Sequence, residues 1–308
     1  MKLSNAGQPL VSVIMPTYNH AKFIGKAIDS VLSQTYKNFE LIIIDNYSED
    51  DTEKIVASYE DDRITYLKFR NNGIIAASRN HGIKHSHGDY IAFLDSDDIW
   101  YPEKLSLVKS IFKRYSDVDI VHHSEMEVCS DGRKRILNYG QVKQPAYTDL
   151  LFVSNKVSTS ATVVRRELAV EVGGFSEDMD FNSAEDYDFW LKLAKAGGKF
   201  YYLNRVLGEY YRGPEAVTSK IEYHAQNAFN VYKSHIKQLR EEGELTDFRF
   251  NKLLEKRKLE KLFSVGRQYH RVCNYLDSHK FFIRAIKKRP LWYKPYMGLL
   301  LTFMKIKR

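Results

Sequence analysis

The segment Asp95-Ser96-Asp97-Asp98 sets three carboxylates within four residues, directly after the apolar run Ile91-Ala92-Phe93-Leu94. Ionised carboxylates this close repel one another, so the cluster calls for a compensating cation. Hard divalent ions such as Mg²⁺ or Mn²⁺ take oxygen ligands, commonly one or two carboxylates with water and substrate phosphates in the remaining positions. A metal ion bridging the protein to a diphosphate is one chemistry this spacing supports. A solvated acidic turn that caps a helix beginning near Pro102 is the other, and the four residues alone leave both open.

Such a cluster needs elements to position it. Val11-Ser12-Val13-Ile14-Met15 is a β-branched run closed by Pro16, and Phe23, Ile24, Ala27, Ile28, Val31 and Leu32 then recur at helical spacing within residues 21–34. The unit repeats: Phe39 to Ile44 before a helix over 51–59, Ile64 to Phe69 before Ile74 to His85, and Tyr90 to Leu94 before Pro102 to Tyr115. Strands alternating with helices predict an α/β fold, a Rossmann-like, mostly parallel sheet between helices that binds ligands outside the carboxyl ends of its strands. Polar residues follow three of those ends: Thr17-Tyr18-Asn19, Asp45-Asn46-Tyr47-Ser48 and Asp95-Ser96-Asp97. These loops are expected to converge on one crevice. Beyond Asp117 the pattern is mixed, with strands near Ile120 to Val128 and Ser158 to Val164, a turn at Asp131-Gly132 and a helix from Ala184 to Ala196.

A chain of 308 residues, 44% hydrophobic, has material for one large domain or two smaller ones. Its two cysteines, Cys129 and Cys273, stand in no metal-ligand spacing, which argues against a disulfide framework or a zinc site and fits a reducing, cytoplasmic compartment. Met1 to Pro9 lacks an apolar signal core, and the run Met297 to Met304 is far short of the roughly 20 residues that cross a bilayer. Net charge is +8, with the basic excess mostly after Lys220 and ending in Lys305-Ile306-Lys307-Arg308. A basic face attracts nucleic acid, anionic lipid or a phosphorylated substrate. No nucleic-acid motif is present, so no nucleic-acid partner is expected. The basic tail beside Leu299-Leu300-Leu301 can rest on an anionic membrane as a peripheral contact, or can be a solvated helix end.

Between Pro9 and Arg212 the chain resembles the inverting glycosyltransferases of family 2, which have the GT-A fold. The resemblance rests on Val13-Ile14-Met15-Pro16-Thr17-Tyr18-Asn19, the segment Ile43 to Thr52, Asn72-Gly73 through Arg79-Asn80, Gly88-Asp89-Tyr90 leading into Asp95-Ser96-Asp97-Asp98, and Glu185-Asp186. It implies that Pro16 and Tyr18 hold the nucleotide base, that Asp45 accepts a hydrogen bond from a base N–H as uracil would offer, and that Arg79 contacts the nucleotide through its planar fork. Asp95 is implied to contact the ribose, with Ser96 and Glu185 beside the substrate, and Asp97 to bind Mn²⁺ or Mg²⁺. Asp186 is the implied general base, with Glu185 and Asp188 as rivals on the same helix; Ser183 is positioned to cap that helix. Tyr210-Tyr211-Arg212 matches a late motif near the diphosphate in some relatives. At Tyr47 the chain departs from the family, which usually carries a small residue there, often glycine. His85 and His87 read as surface histidines.

The implied reaction moves a sugar from a nucleotide diphosphate, a UDP-sugar by the reading of Asp45, to a hydroxyl of a glycan, glycolipid or glycoprotein acceptor, with inversion. Within residues 1–215, about 9–115 form the nucleotide-binding half and 116–215 the acceptor half. From 216 to 308 the chain reads as a helical extension, in which Gly266, Tyr269, Ser278, Phe282, Ala285 and Pro290 resemble one tetratricopeptide-like hairpin. A lone hairpin cannot bury both faces, so it is expected to dock on the catalytic body or on another subunit as a homo-oligomer. Two other functions compete: a sugar-phosphate nucleotidyltransferase, disfavoured because Pro16-Thr17-Tyr18-Asn19-His20 is no glycine-rich basic phosphate loop, and a non-catalytic sugar-nucleotide-binding scaffold.

Overall fold

Val11–Thr17 (β1) is buried at every position, as a strand covered on both faces must be. The computed structural model describes residues 10–213 and 220–304. After β1 come Ile24–Leu32 (α1), Phe39–Asp45 (β2), Thr52–Ala57 (α2), Ile64–Lys68 (β3), Ile75–His85 (α3), Tyr90–Phe93 (β4), Ile99–Trp100 (β5) and Lys104–Arg114 (α4). Ile120–Cys129 (β6), Lys134–Leu137 (β7), Ala146–Phe152 (α5), Thr162–Arg165 (β8), Arg166–Glu171 (α6), Glu185–Lys195 (α7) and Phe200–Arg212 (β9) follow. The helices Ile221–Glu241 (α8), Asp247–Arg271 (α9), Tyr275–Lys288 (α10) and Tyr293–Phe303 (α11) complete the order.

One mixed sheet runs β3-β2-β1-β4-β8-β6-β9-β5, with β7 paired to β6. β1 lies parallel between β2 and β4; the register sets the ends of β1 and β2 level at Thr17 and Asp45, while β4 ends at Phe93 opposite Ile14, so that the segment after it starts three residues lower on the same side of the sheet. Pro16 lies inside β1 instead of ending it. Its pairing with β4 has stopped at Ile14, so the missing N–H costs no ladder bond on that side. Val13, Met15, Ile24, Ile28, Leu41, Ile43, Ala92 and Leu94 form the core beneath the strand ends.

The acidic segment is fixed at both of its ends. β4 holds it from the centre of the sheet, and β5 pairs antiparallel with β9, Ile99 against Glu209 and Trp100 against Gly208. None of its carboxylates caps the next helix: α4 starts only at Lys104, and no side chain caps it. The strand expected from Ser158 begins at Thr162, because Thr159 and Ser160 spend their polar groups outside the ladder.

By internal packing the chain divides into one unit of Met1–Met179 with Glu185–Pro214 and another of Asp180–Ala184 with Glu215–Arg308. In the second, Ile221, Leu259, Leu262, Val265, Phe281 and Ala285 make the core. The α9–α10 pair fits closely at Gly266, where a Cβ would come within 2.8 Å of the Phe282 ring, and Ser278 Oγ donates to the Gly266 carbonyl at 2.8 Å. No helix among the described residues is long and apolar enough to cross a membrane.

Candidate active site

Three loops at the carboxyl ends of β1, β2 and β4 are tied together by short polar contacts. After β1, the Asn19 N–H donates to Ser48 Oγ at 2.8 Å and Asn19 Oδ1 accepts from the Glu49 N–H at 2.8 Å. His20 Nδ1 meets Ser96 Oγ at 2.7 Å, so the first loop is joined to the acidic one as well. Pro16 is buried in β1 while Tyr18, next but one, is exposed. Asp45 is wholly buried: Oδ1 accepts from Ser48 Oγ at 2.6 Å and Oδ2 from the Tyr66 hydroxyl at 2.5 Å. Its carboxylate therefore holds the 45–48 turn in shape. Tyr47 occupies that turn at φ +58°, the left-handed region where glycine is favoured. The Arg70 guanidinium lies over the Tyr47 ring at 5.0 Å.

Arg79 lies between two carboxylates. Its side chain is 3% exposed, with Nη2 on Asp95 Oδ1 at 2.7 Å and Nη1 on Glu185 Oε1 at 2.6 Å. The fork thus binds two carboxylates of the protein, and Glu185 faces inward onto it. Glu185 and Asp186 divide as successive helical residues should: one points to Arg79, while Asp186 Oδ2 accepts from Thr159 Oγ1 at 3.3 Å. Asp188 is buried. Ser183 does not cap α7; it takes φ +76° where a cap residue is extended, and its buried Oγ has no hydrogen-bond partner among the described residues.

Residues 159 and 160 carry a connection that no motif announced. Ser160 Oγ accepts the Asp95 N–H at 3.1 Å, while its neighbour Thr159 reaches Asp186. The Ser160 carbonyl accepts from Trp100 Nε1 at 2.8 Å and from Lys104 Nζ at 2.6 Å, and the Lys104 ammonium also stands 3.5 Å from the Trp100 ring centre. Burial pushes that ammonium well below its usual range, against the pull of Glu125 and Asp98. A lysine in the first turn of an amphipathic helix reads as a solvated surface residue, so only its position opposite Trp100 could have marked it.

The electrostatics separate the acidic groups. Burial, then the nearby Asp95 charge, pushes the Asp97 carboxyl up to about 6, with His20 opposing. No lysine or arginine is paired with Asp97 among the described residues. Asp98 is buried and raised by burial and by Asp97, and its Oδ1 accepts the Tyr211 N–H at 2.8 Å. Asp186 is raised to about 7, mainly by burial and next by Glu185, with Arg79 pulling the other way. Arg212 is engaged with Glu127 at 3.3 Å, and Tyr211 packs on Phe23 at 4.9 Å. His85 bonds the His81 carbonyl and His87 bonds Glu40, and among the described residues no three His, Cys, Asp or Glu side chains gather into a protein-only metal cluster.

A carboxylate such as Asp97, partly buried, carrying raised proton affinity and paired with no lysine or arginine among the described residues, suits a hard divalent ion that takes its other ligands from water and a diphosphate. Asp186 is a carboxylate poised to take a proton near neutral pH.

Known proteins share this fold. Staphylococcus aureus TarS 1–349, solved with UDP-GlcNAc, superposes at a TM-score of 0.63 with 20% identity over 96% of this chain and 87% of that one. The Pyrobaculum calidifontis mannosyltransferase PcManGT, solved with GDP-Man and Mn²⁺, superposes at 0.58 with 18% identity over 98% of this chain and 86% of that one. The fold is therefore the GT-A arrangement, with helices α8–α11 following it. A Rickettsia typhi protein named as an uncharacterized glycosyltransferase is 31% identical over 203 residues, 64% of this chain and 62% of its own length, so the chain spans about three fifths of that relative. Residues 12–168, half of the chain, match the model of Glycosyl transferase family 2, and by that match the chain belongs to this family.

Proposed function

We propose that the chain is a metal-dependent inverting glycosyltransferase that moves a sugar from a UDP-sugar to a hydroxyl of a glycan, glycolipid or glycoprotein acceptor. The observation that carries this reading is the bridge made by Thr159 and Ser160, one bonded to Asp186 and the other to the Asp95 amide. It joins a carboxylate with raised proton affinity to the acidic loop through two adjacent residues.

In this reading Tyr18 offers its exposed ring to the base beside Pro16, with the turn held by Asp45 alongside. Asp95, with Ser96 next to it, meets the ribose through the oxygen that Arg79 leaves free. Arg79 and Glu185 act as positioning residues: the arginine fixes Asp95 on one side and Glu185 on the other, so the acidic loop and α7 share one buried cation. Asp97 would hold Mn²⁺ or Mg²⁺. Such an ion supplies Lewis-acid stabilisation of the charge that grows on the diphosphate oxygens as the bond to the anomeric carbon breaks.

Asp186 takes the proton from the acceptor hydroxyl as that oxygen attacks the anomeric carbon from the face opposite the diphosphate. One bond forms and one breaks, so the configuration inverts and no covalent enzyme intermediate arises. Thr159 holds the Oδ2 of this carboxylate and orients it. A cytoplasmic location, where nucleotide sugars are made and used, goes with this reading.

The test is release of UDP from UDP-sugars in the presence of Mn²⁺ and a mixture of glycan acceptors. Wild-type protein should release UDP, Asp186→Asn should lose roughly 10²–10⁴-fold of the rate, and Asp97→Ala should lose dependence on the metal. UDP-sugar binding with no metal-dependent release by the wild type would instead identify a binding scaffold.

A further inference from the structure

Helix α11 has two unlike faces. Pro295, Gly298 and Thr302 turn inward: Thr302 Oγ1 meets His270 Nδ1 at 2.9 Å and Ser278 Oγ at 3.2 Å, and a Cβ on Gly298 would come within 2.5 Å of the Phe282 ring. On the other side Tyr293, Tyr296, Met297, Leu300, Phe303 and Met304 are all exposed, from 45% for Tyr296 to 81% for Phe303. At 100° per residue these six fall within an arc of about 120°. Leu291, just before the helix, is 97% exposed. An unbroken apolar stripe of this kind on a solvent-facing helix marks a surface that something covers.

The charge around it selects what covers it. Residues 278–308 contain nine Lys and Arg and no Asp or Glu. Lys287, Lys288, Arg289 and Lys294 are exposed at the start of the stripe. A second copy of the chain packing isologously through this face would set cations against cations. A bilayer with anionic headgroups offers the complement to both features, since aromatic and methionine side chains enter the interface while lysine and arginine stay among the phosphates.

We propose that the outer face of α11 docks on an anionic lipid surface, with the helix lying in the plane of the interface. The docking does not depend on the glycosyl-transfer reading, because binding is scored without donor or acceptor. The experiment is co-sedimentation of the full chain with vesicles of phosphatidylcholine alone and of phosphatidylcholine with roughly 30 mol% phosphatidylglycerol, alongside the molar mass in solution. Wild-type chain should bind the anionic vesicles at least about tenfold more tightly than the neutral ones. Leu300→Asp with Phe303→Asp, two exposed positions, should lose about tenfold or more of that binding while the melting temperature and UDP release in solution stay unchanged. Lys288→Glu with Arg289→Glu, which leaves the stripe intact, should lower binding as well. Failure of the wild type to bind anionic vesicles overturns the proposal, as does equal binding by all three chains. A dimer that the Leu300→Asp, Phe303→Asp chain dissolves, without vesicle binding by the wild type, would assign the face to a second copy instead.

Discussion

The Arg79 guanidinium meets the Glu185 carboxylate at 2.6 Å across 106 residues of sequence, with both side chains almost wholly out of solvent. Arg79 bonds Asp95 with its other nitrogen at 2.7 Å, so one buried cation answers two carboxylates from two different elements. Deleting Glu185 leaves the buried Nη1 donor without its acceptor while Asp95 still answers the charge, at a cost of about 1–3 kcal/mol. Glu185→Ala should therefore lower the unfolding free energy by about that amount, while Glu185→Gln, which keeps an acceptor oxygen for Nη1, should cost less. Equilibrium denaturation of the three chains checks this, and an unchanged midpoint for Glu185→Ala would rule out the pairing.

Asp186 makes both activity and stability depend on pH, in opposite directions. A base must be unprotonated, so with its carboxyl raised to about 7 the rate should climb with pH and level off above that value. The folded chain holds this proton to higher pH than the unfolded one, so the stabilising effect of protonation is complete below the ordinary carboxylate range. It is lost as pH rises through about 7. Asp186→Asn removes that loss. Its melting temperature should exceed the wild type's at pH 8 by roughly 2–4 °C per kcal/mol recovered, and the gap should narrow steadily as pH falls from about 7, closing only below the ordinary carboxylate range. A rate profile flat between pH 5 and pH 8 would show that another group takes the proton.

The raised Asp97 carboxyl gives metal binding its own pH window. Protons and the cation compete for the same oxygens, so Mn²⁺ affinity measured by calorimetry with UDP present should fall about tenfold per pH unit below about 6. Above that window it should be flat. Asp97→Asn should abolish the pH dependence together with most of the affinity, and Mn²⁺ binding that ignores this substitution would move the ion elsewhere.

How far the sequence foretold this arrangement depended on periodicity. β1 and β2 are buried along their whole lengths and read as continuous apolar runs, and the strand–helix alternation fixed which loops share the crevice. The acidic loop was visible because its charges are adjacent in sequence. Long-range polar pairs left no such trace. The carboxylate partners of Arg79 lie 16 and 106 residues away, too far for any local pattern to pair them, and Ser160 fits a strand because alternating polar residues suit a ladder as well as a turn. β5 has two residues, too few for any period, yet it is what anchors the acidic loop on β9.

That anchor has a weak point that a single methyl group can reach. Gly208 pairs with Trp100 in the β5–β9 ladder, and a Cβ there would stand 2.7 Å from the Ile99 carbonyl oxygen, a backbone atom that cannot swing aside. Gly208→Ala must push β5 off β9, and with it Asp98, whose carboxylate accepts the Tyr211 N–H from the same strand. Overpacking of this kind costs about 1–3 kcal/mol. Because reacting groups tolerate little displacement, UDP release should fall by about tenfold or more beyond any loss of folded protein. Gly132→Ala is the control: its φ of +82° also disfavours alanine, but a Cβ there meets nothing within 4 Å. It should cost stability through the backbone alone and leave the rate per folded molecule unchanged. Equal rates for the two variants would mean that β5 does not set the position of the acidic loop.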